Sequence, residues 1–150
     1  MDTVDKATRS RIVAAIKRKS TKPEREMLRL ANSLGAEPVL NDAFLPGCPD
    51  LAFHAHRLAV FVHGCFWHGC PVHYKAPTSN VDFWQGKVLC NQRRDARIRR
   101  RLNRMGWSVM VVWEHELKSS PGKVAARLSR RLRVPACLPA MNGREPPAPA

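Results

Sequence analysis

The chain has 150 residues, enough for one domain with one hydrophobic core, and 44% of them are hydrophobic, an ordinary share for a globular protein. Its 26 lysines and arginines against 12 acidic residues leave a net charge of +14, which opposes compaction and is typical of proteins that bind a polyanion, nucleic acid first of all. No apolar run reaches the roughly 18 residues of a membrane-spanning helix, and no signal peptide is recognisable, so we expect a cytoplasmic protein with no membrane partner and with reduced thiols.

The first two segments are predicted to be helical. A basic helix is predicted over residues 3–17, and we expect residues 1–20 to form an arm that contacts DNA through Arg9 and Arg11. A second helix is predicted from Thr21, a favourable N-cap residue, to Gly35, a common helix end. Glu24 follows Thr21 at the spacing of a capping box.

The rest of the chain alternates between short apolar strands, one Cys- and His-rich loop and two helices. Strands are predicted around residues 37–41, 51–54, 58–62 and 107–113, helices over 82–104 and from Ser120 or Pro121 to about Leu132, the loop over 63–80, and a disordered Pro- and Ala-rich tail over 135–150. Residues 21–134 are therefore predicted to form one α/β core, a sandwich with a short mixed central sheet flanked by helices.

The loop over 63–80 has the composition of a metal site. Cys65, His68, Cys70 and His73 place four candidate ligands in nine residues, and His115 lies just beyond the last strand. Structural zinc takes four tetrahedral nitrogen or sulfur ligands, and a loop with little to bury needs such a link to become ordered. The alternative is that the cysteines are buried thiols and the histidines are surface groups. If His68 is not a ligand, its imidazole is a candidate proton carrier.

Asp50 is the candidate centre of a second metal site. It follows Pro49 directly before an apolar strand, in a chain where acidic residues are scarce. A carboxylate there suits Mg²⁺, which prefers hard oxygen ligands, and bound Mg²⁺ would polarise a DNA phosphate. The alternative is that Asp50 only caps the loop.

The Arg-rich helix predicted over 82–104 presents a polar face. Lys87, Asn91, Arg94 and Asp95 fall at i, i+4, i+7 and i+8, and this face is either solvated or turned towards DNA. Asp95 is the only acidic residue in the stretch 93–104. It either orients the imidazole of His68 by accepting a ring N–H or forms an ion pair with Arg99 at i+4.

Several motifs occur in one order over residues 5–134. They are DKATRSR at 5–11, TKPE at 21–24, LPGCPD at 45–50, HGCFWHGC at 63–70, FW at 83–84, GW at 106–107 and VWE at 112–114. With this set the chain resembles the very short patch repair (Vsr) DNA mismatch endonucleases. The resemblance implies a fold like that of type II restriction endonucleases with an added zinc site. It also implies an enzyme that nicks one DNA strand on the 5′ side of the T in a T:G mismatch, the product of 5-methylcytosine deamination, to start short-patch repair.

The resemblance further implies roles for single residues. Asp50 and the backbone carbonyl of Val62 match the Mg²⁺ contacts of the family, and Glu24 matches a glutamate that supports the metal-bound waters. His68 matches the general base that acts on the attacking water, and His63 matches a histidine that assists at the phosphate. The zinc ligands match Cys65, Cys70, His73 and His115.

The resemblance also predicts the DNA contacts. Phe66 and Trp67, on a loop pinned by metal ligands, would wedge into the base stack, where unstacking costs least at a mispair. Lys87 and Asn91 are expected at base edges, with Arg94 beside them. Val13 stands where the family has a methionine that wedges from the other groove.

The expected partners are double-stranded DNA with a T:G mismatch and mismatch-repair factors, and the expected state is a monomer associated with the bacterial nucleoid. Two alternatives stay open at the level of sequence. One is a restriction-type or branched-DNA nuclease of the same fold, and the other is a non-catalytic, zinc-stabilised DNA-binding module.

Overall fold

The computed structural model describes residues 21–133, together with Ala7. The predicted DNA-contacting arm, with Arg9, Arg11 and Val13, and the predicted tail over 135–150 lie outside the described residues. Within residues 21–133, no helix is long and apolar enough to cross a membrane.

Residues 21–133 contain four α-helices, four strands and one short 3-10 helix, His54–His56. The helices are α1 (Lys22–Ser33), α2 (Val81–Arg104), α3 (Glu114–Ser119) and α4 (Pro121–Leu132), and the strands are β1 (Val39–Leu40), β2 (Leu51–Phe53), β3 (Leu58–His63) and β4 (Ser108–Trp113). Over residues 21–133 the predicted order of elements is confirmed, although β1 is shorter than the strand expected over 37–41. Helix α3 was not predicted, because its six residues are too few to show a helical period.

Helix α1 begins differently from the prediction. Thr21 occupies the N-cap position with an extended backbone, but its side chain makes no hydrogen bond to the backbone of the first turn. Its hydroxyl instead donates to Oε1 of Glu24 at 2.9 Å. The predicted capping box is therefore wrong in its first half, because the carboxylate engages the hydroxyl that would have capped the helix.

The strands form one mixed sheet in the order β1-β2-β3-β4. The pairs β1–β2 and β2–β3 are antiparallel, whereas β3 and β4 are parallel, in a register that runs from Leu58 opposite Ser108 to His63 opposite Trp113. Helix α2 lies in the crossover that a parallel pair requires. The predicted α/β class and mixed sheet flanked by helices are confirmed.

The sheet is covered on both faces because its strands alternate between two apolar clusters. On one face, Leu51, Phe53 and Val60 pack with α1, α3 and α4. On the other face, the small side chains of Ala52 and Ala59 pack against α2 and the residues around it. The ends of β2, β3 and β4 and the start of α3 are thereby held rigidly, and the candidate site is built on them.

Candidate active site and metal centre

Asp50 and Val62 lie side by side where β2 begins and β3 ends. Oδ2 of Asp50 accepts a hydrogen bond of 2.7 Å from the backbone N–H of Val62. The loop before Asp50 packs closely on α2. Gly47, with φ +80°, lies so near this helix that a Cβ there would be 2.6 Å from Cγ2 of Ile98. The structure thus brings together the two residues that were predicted to hold Mg²⁺.

The Asp50 carboxyl lies in an unusual electrostatic environment. Burial raises its pKa from 3.8 to about 6, and the hydrogen bond from Val62 opposes that rise. The charge of Glu24 raises the pKa further, whereas that of His68 lowers it. Glu24, in the first turn of α1, and His68 are therefore both electrostatic neighbours of Asp50. A divalent cation fits this donor set, since it would neutralise a buried carboxylate that lies beside a second one.

His63, His68 and Asp95 form a compact group next to this carboxylate. Nδ1 of His68 and Oδ2 of Asp95 are 2.6 Å apart, and Nε2 of His63 is 3.9 Å from the same oxygen. The two imidazole rings stack at 3.9 Å with an interplanar angle of 11°. Of the two alternatives for Asp95, the structure places it against His68, with Arg94 at 3.6 Å, rather than in an ion pair with Arg99.

The environment of this group favours a neutral His63 and an ionised Asp95. Burial, together with the charge of His68, lowers the pKa of His63 to about 4. Burial alone would raise the pKa of Asp95, but the hydrogen bond to His68 and the nearby positive charges lower it overall. An ionised carboxylate can hold the His68 ring in one orientation by accepting its N–H.

The Cys/His-rich loop is anchored on α2 by side chains that the sequence did not single out for this purpose. Nδ2 of Asn91 donates to the carbonyl of Trp67 at 2.8 Å, and Nε2 of Gln92 donates to the carbonyl of His68 at 3.2 Å. Gly69 has φ +63°, and a Cβ there would lie 2.7 Å from both Gln92 and Val88, so the loop approaches the helix as closely as a glycine allows. The amide nitrogen of Asn91 thus holds the loop, and the contact of this residue with base edges stays a prediction.

The predicted zinc ligands converge on one point. The candidate ligand atoms of Cys65, Cys70, His73 and His115 lie within 4.8 Å of one another. Nδ1 of His115 is 3.2 Å from Sγ of Cys65 and 3.5 Å from Sγ of Cys70. Metal–ligand distances of about 2.0–2.3 Å at tetrahedral angles place neighbouring ligand atoms about 3.5 Å apart, so the spacing fits a four-coordinate metal. The chain therefore has a candidate Cys/His metal site.

Burial and one backbone hydrogen bond set the environment of Cys65 in this cluster. Burial raises the pKa of the Cys65 thiol, so this group would become a thiolate ligand only with a bound metal ion to compensate its charge. The carboxylate of Glu114, at the start of α3, accepts a 3.1 Å hydrogen bond from the backbone N–H of Cys65. The remaining described cysteines, Cys48 and Cys90, lie outside the cluster.

The aromatic residues of the loop form an edge-to-face cluster with an aromatic residue of α2. The ring of Phe66 lies 5.1 Å from that of Trp67 and 5.3 Å from that of Trp84, both in edge-to-face geometry. The rings of Trp67 and Trp84 are 6.0 Å apart. Trp84 was not among the site residues expected from the sequence. The signal that could have found it is the position of this aromatic residue in the first turn of a helix that faces the loop.

The other predicted DNA contacts of α2 point outwards. Lys87 is exposed, and the side chain of Arg94 is 58% exposed although it lies near Asp95. Both can therefore reach a ligand outside the protein.

Comparison with known proteins finds related DNA endonucleases. The family described as DNA mismatch endonuclease Vsr matches residues 1–73. The type II nicking enzyme V.XorIIP of Xanthomonas oryzae pv. oryzae is 40% identical over 129 residues, which cover 85% of this chain and 93% of that enzyme. The DNA mismatch endonuclease Vsr of Escherichia coli is 36% identical over 137 residues, which cover 91% of this chain and 88% of that enzyme. The type II nicking enzyme V.NaeI of Lentzea aerocolonigenes is 39% identical over 115 residues, covering 73% of this chain and 69% of that enzyme.

Each of these relatives is at least 36% identical to the chain, and each alignment covers more than two thirds of both proteins. The chain therefore belongs to the Vsr family of DNA mismatch endonucleases and is a DNA endonuclease.

Proposed function

We propose that this endonuclease nicks one strand of duplex DNA on the 5′ side of the T in a T:G mismatch left by 5-methylcytosine deamination, and so starts short-patch repair. The relative from Escherichia coli is named a DNA mismatch endonuclease, and other relatives are named nicking enzymes, which supports cutting of one strand. The observation that carries the proposal is the group formed by Asp50, His68 and Asp95. It unites a carboxylate suited to a metal with an imidazole held by a second carboxylate. We also propose that the α/β core is a restriction-endonuclease-like sandwich.

The metal proposed for the Asp50 site is Mg²⁺. Oxygen donors suit this hard cation, and Asp50 would hold it with the carbonyl of Val62, while Glu24 would hold metal-bound waters. Bound there, the cation would supply charge neutralisation at the scissile phosphate.

His68 is proposed as the general base. When its Nδ1 carries the proton and donates to Asp95, its Nε2 retains a free lone pair and can take a proton from the water that attacks phosphorus. His63, kept neutral by burial, lies against the His68 ring and can donate a hydrogen bond to a phosphate oxygen without adding charge. Asp95 acts as a positioning residue, because it acts through His68.

The second metal is proposed to be zinc with a structural role, held by Cys65, Cys70, His73 and His115. A mixed sulfur and nitrogen set suits zinc, and four protein ligands leave no open position for chemistry. Its proposed effect is to fix the loop that carries His68 and the aromatic residues.

The aromatic group of Phe66, Trp67 and Trp84 is proposed to stack on bases at the mismatch. A mispair loses least on unstacking, so a rigid wedge selects for it. Lys87 and Arg94 are proposed to reach the duplex from α2, and Val13, Arg9 and Arg11 from an N-terminal arm over 1–20.

In this proposal residues 21–134 form the nuclease core and 135–150 a disordered tail. The enzyme is proposed to act as a monomer in the cytoplasm, at the nucleoid, alongside mismatch-repair factors.

A nicking assay tests the mechanism. The substrates are end-labelled duplexes that carry T:G or matched T:A in a panel of flanking sequences, with Mg²⁺ or with none added. The expected result is one cut 5′ of the mismatched T that requires Mg²⁺. Asp50→Ala should lose cutting and retain duplex binding. Equal cutting of matched duplexes would point to a restriction-type nuclease, and full activity of Asp50→Ala would refute the proposed metal site.

A further inference from the structure

A basic groove runs along the free edge of β4. It is lined by Arg99 and Asn103 of α2, residues 108–111 of β4, and Arg127 and Arg131 of α4, around a volume of about 440 Å³. Helices α2 and α4 cover opposite faces of the sheet, so the groove opens at the sheet edge between them. Three guanidinium groups and no acidic residue line it within the described part of the chain. Its ligand should therefore be anionic.

Two backbone groups at the edge of β4 are already occupied by side chains. Nη2 of Arg127 donates to the carbonyl of Val111 at 2.8 Å, and the backbone N–H of Trp113 donates to Oε2 of Glu116 at 2.8 Å. Arg127 and Glu116 are themselves joined at 3.1 Å. A peptide that added a strand to the sheet would need both of these backbone groups for its hydrogen bonds to β4. This disfavours an acidic protein segment that would bind by extending the sheet.

The groove adjoins the candidate active site. Arg99, Val109 and Val111 line the groove and also a small cavity that His63 and Asp95 line. A polyanion bound at His63 can therefore extend past Arg99 to the edge of β4. This shared lining favours nucleic acid over an unrelated protein partner.

We propose that the groove binds the phosphodiester backbone of duplex DNA on one side of the cleavage site, with Arg99 and Arg131 contacting phosphates. Arg127 acts differently, since its guanidinium is held by Glu116 and Val111 and occupies a backbone group at the strand edge. The inference requires that DNA is the substrate, but it requires neither the mismatch specificity nor the Mg²⁺ chemistry proposed above.

The test compares Arg131→Gln with Arg130→Gln. Both arginines are exposed on α4, but only Arg131 lines the groove. Binding of fluorescein-labelled T:G and T:A duplexes is measured by fluorescence anisotropy over a salt series without Mg²⁺. A lost phosphate contact lowers the slope of log K against log salt by about 0.9, so Arg131→Gln should bind both duplexes roughly fivefold to tenfold more weakly near 0.1 M salt. Arg130→Gln should stay close to wild type, and both variants should keep the wild-type melting temperature.

A second arm locates the contact. The affinity for duplex DNA is measured with duplexes shortened on one side of the T or on the other. Shortening the side that lies in the groove should lower the affinity of the wild type to that of Arg131→Gln, and shortening the other side should not. Wild-type affinity and salt slope for Arg131→Gln, or an equal loss in Arg130→Gln, would overturn the proposal. If Arg131→Gln weakens binding although wild type does not distinguish T:G from T:A, the groove is supported and the mismatch proposal fails. If discrimination is intact and Arg131→Gln binds normally, only the groove proposal fails, and an acidic protein partner becomes the better explanation.

Discussion

Replacing Asp50 by asparagine should stabilise the Mg²⁺-free protein at neutral pH. Burial raises the pKa of Asp50 from 3.8 to about 6, so at neutral pH the folded protein holds an ionised carboxylate that the unfolded chain solvates better. A difference of about two pH units between the folded and unfolded states corresponds to about 3 kcal/mol. Asparagine carries no charge, so the substitution can raise the free energy of unfolding by at most this amount. The hydrogen bond from Val62 can persist, because the side-chain oxygen of asparagine can still accept it.

The sign of this effect sets its pH dependence. Because the folded pKa lies above the unfolded value, the stability contributed by the protonated carboxyl is fully present below about pH 4 and is lost as the pH rises through about 6. The advantage of Asp50→Asn over wild type should therefore be small at about pH 4 and largest above about pH 7.

Thermal unfolding followed by circular dichroism, with zinc-loaded protein, measures this difference. A gain of about 3 kcal/mol corresponds to a rise in melting temperature of roughly 10 °C for a protein of this size. Added Mg²⁺ should raise the melting temperature of wild type and leave that of Asp50→Asn unchanged, because a ligand stabilises only the protein that binds it. Glu37→Gln, which neutralises an exposed carboxylate, is the control and should change neither. A variant no more stable than wild type at neutral pH would refute the reasoning.

Three further changes probe the rest of the site. Asp95→Asn should slow single-turnover nicking by about 10²–10⁴-fold while duplex affinity stays constant, because the His68 ring loses its carboxylate partner; an unchanged rate would contradict this role. Cys65→Ser should release zinc, measured with a chromogenic chelator, and lower the melting temperature, whereas Cys90→Ser, at an exposed thiol outside the cluster, should do neither. Trp84→Ala should reduce the preference for T:G over T:A duplexes in competition binding by about 1–3 kcal/mol, and an equal loss on both duplexes would argue against stacking at the mismatch.

Long periodic segments and dense motifs were predictable from the sequence. Helix α2 and strands β3 and β4 were expected within one or two residues of their bounds, because their apolar spacing extends over six residues or more. The Cys/His set was predictable because its residue types are uncommon at such spacing, and the structure brings the four ligand atoms of that set together.

Short elements and side-chain partners were less predictable. Helix α3 and the two-residue strand β1 are held by packing and by sheet pairing, which leave no period in so few residues. From the sequence, Asp95 could pair with either His68 or Arg99. Only the fold shows that Nδ1 of His68 lies 2.6 Å from Oδ2 of Asp95. The hydrogen bond from Asn91 to the Trp67 carbonyl was not expected, because only the fold brings the loop onto α2 at Gly69.

The sequence by itself determined the basic charge, the class of fold and the residue types available for chemistry, since these depend on composition and local spacing. Tertiary structure decided which of these residues meet. Asp50 and Val62 are twelve positions apart, His68 and Asp95 are 27 apart, and Cys65 and His115 are 50 apart. Contacts across such separations depend on how the sheet and α2 pack, and packing is a property of the whole core that no local pattern contains.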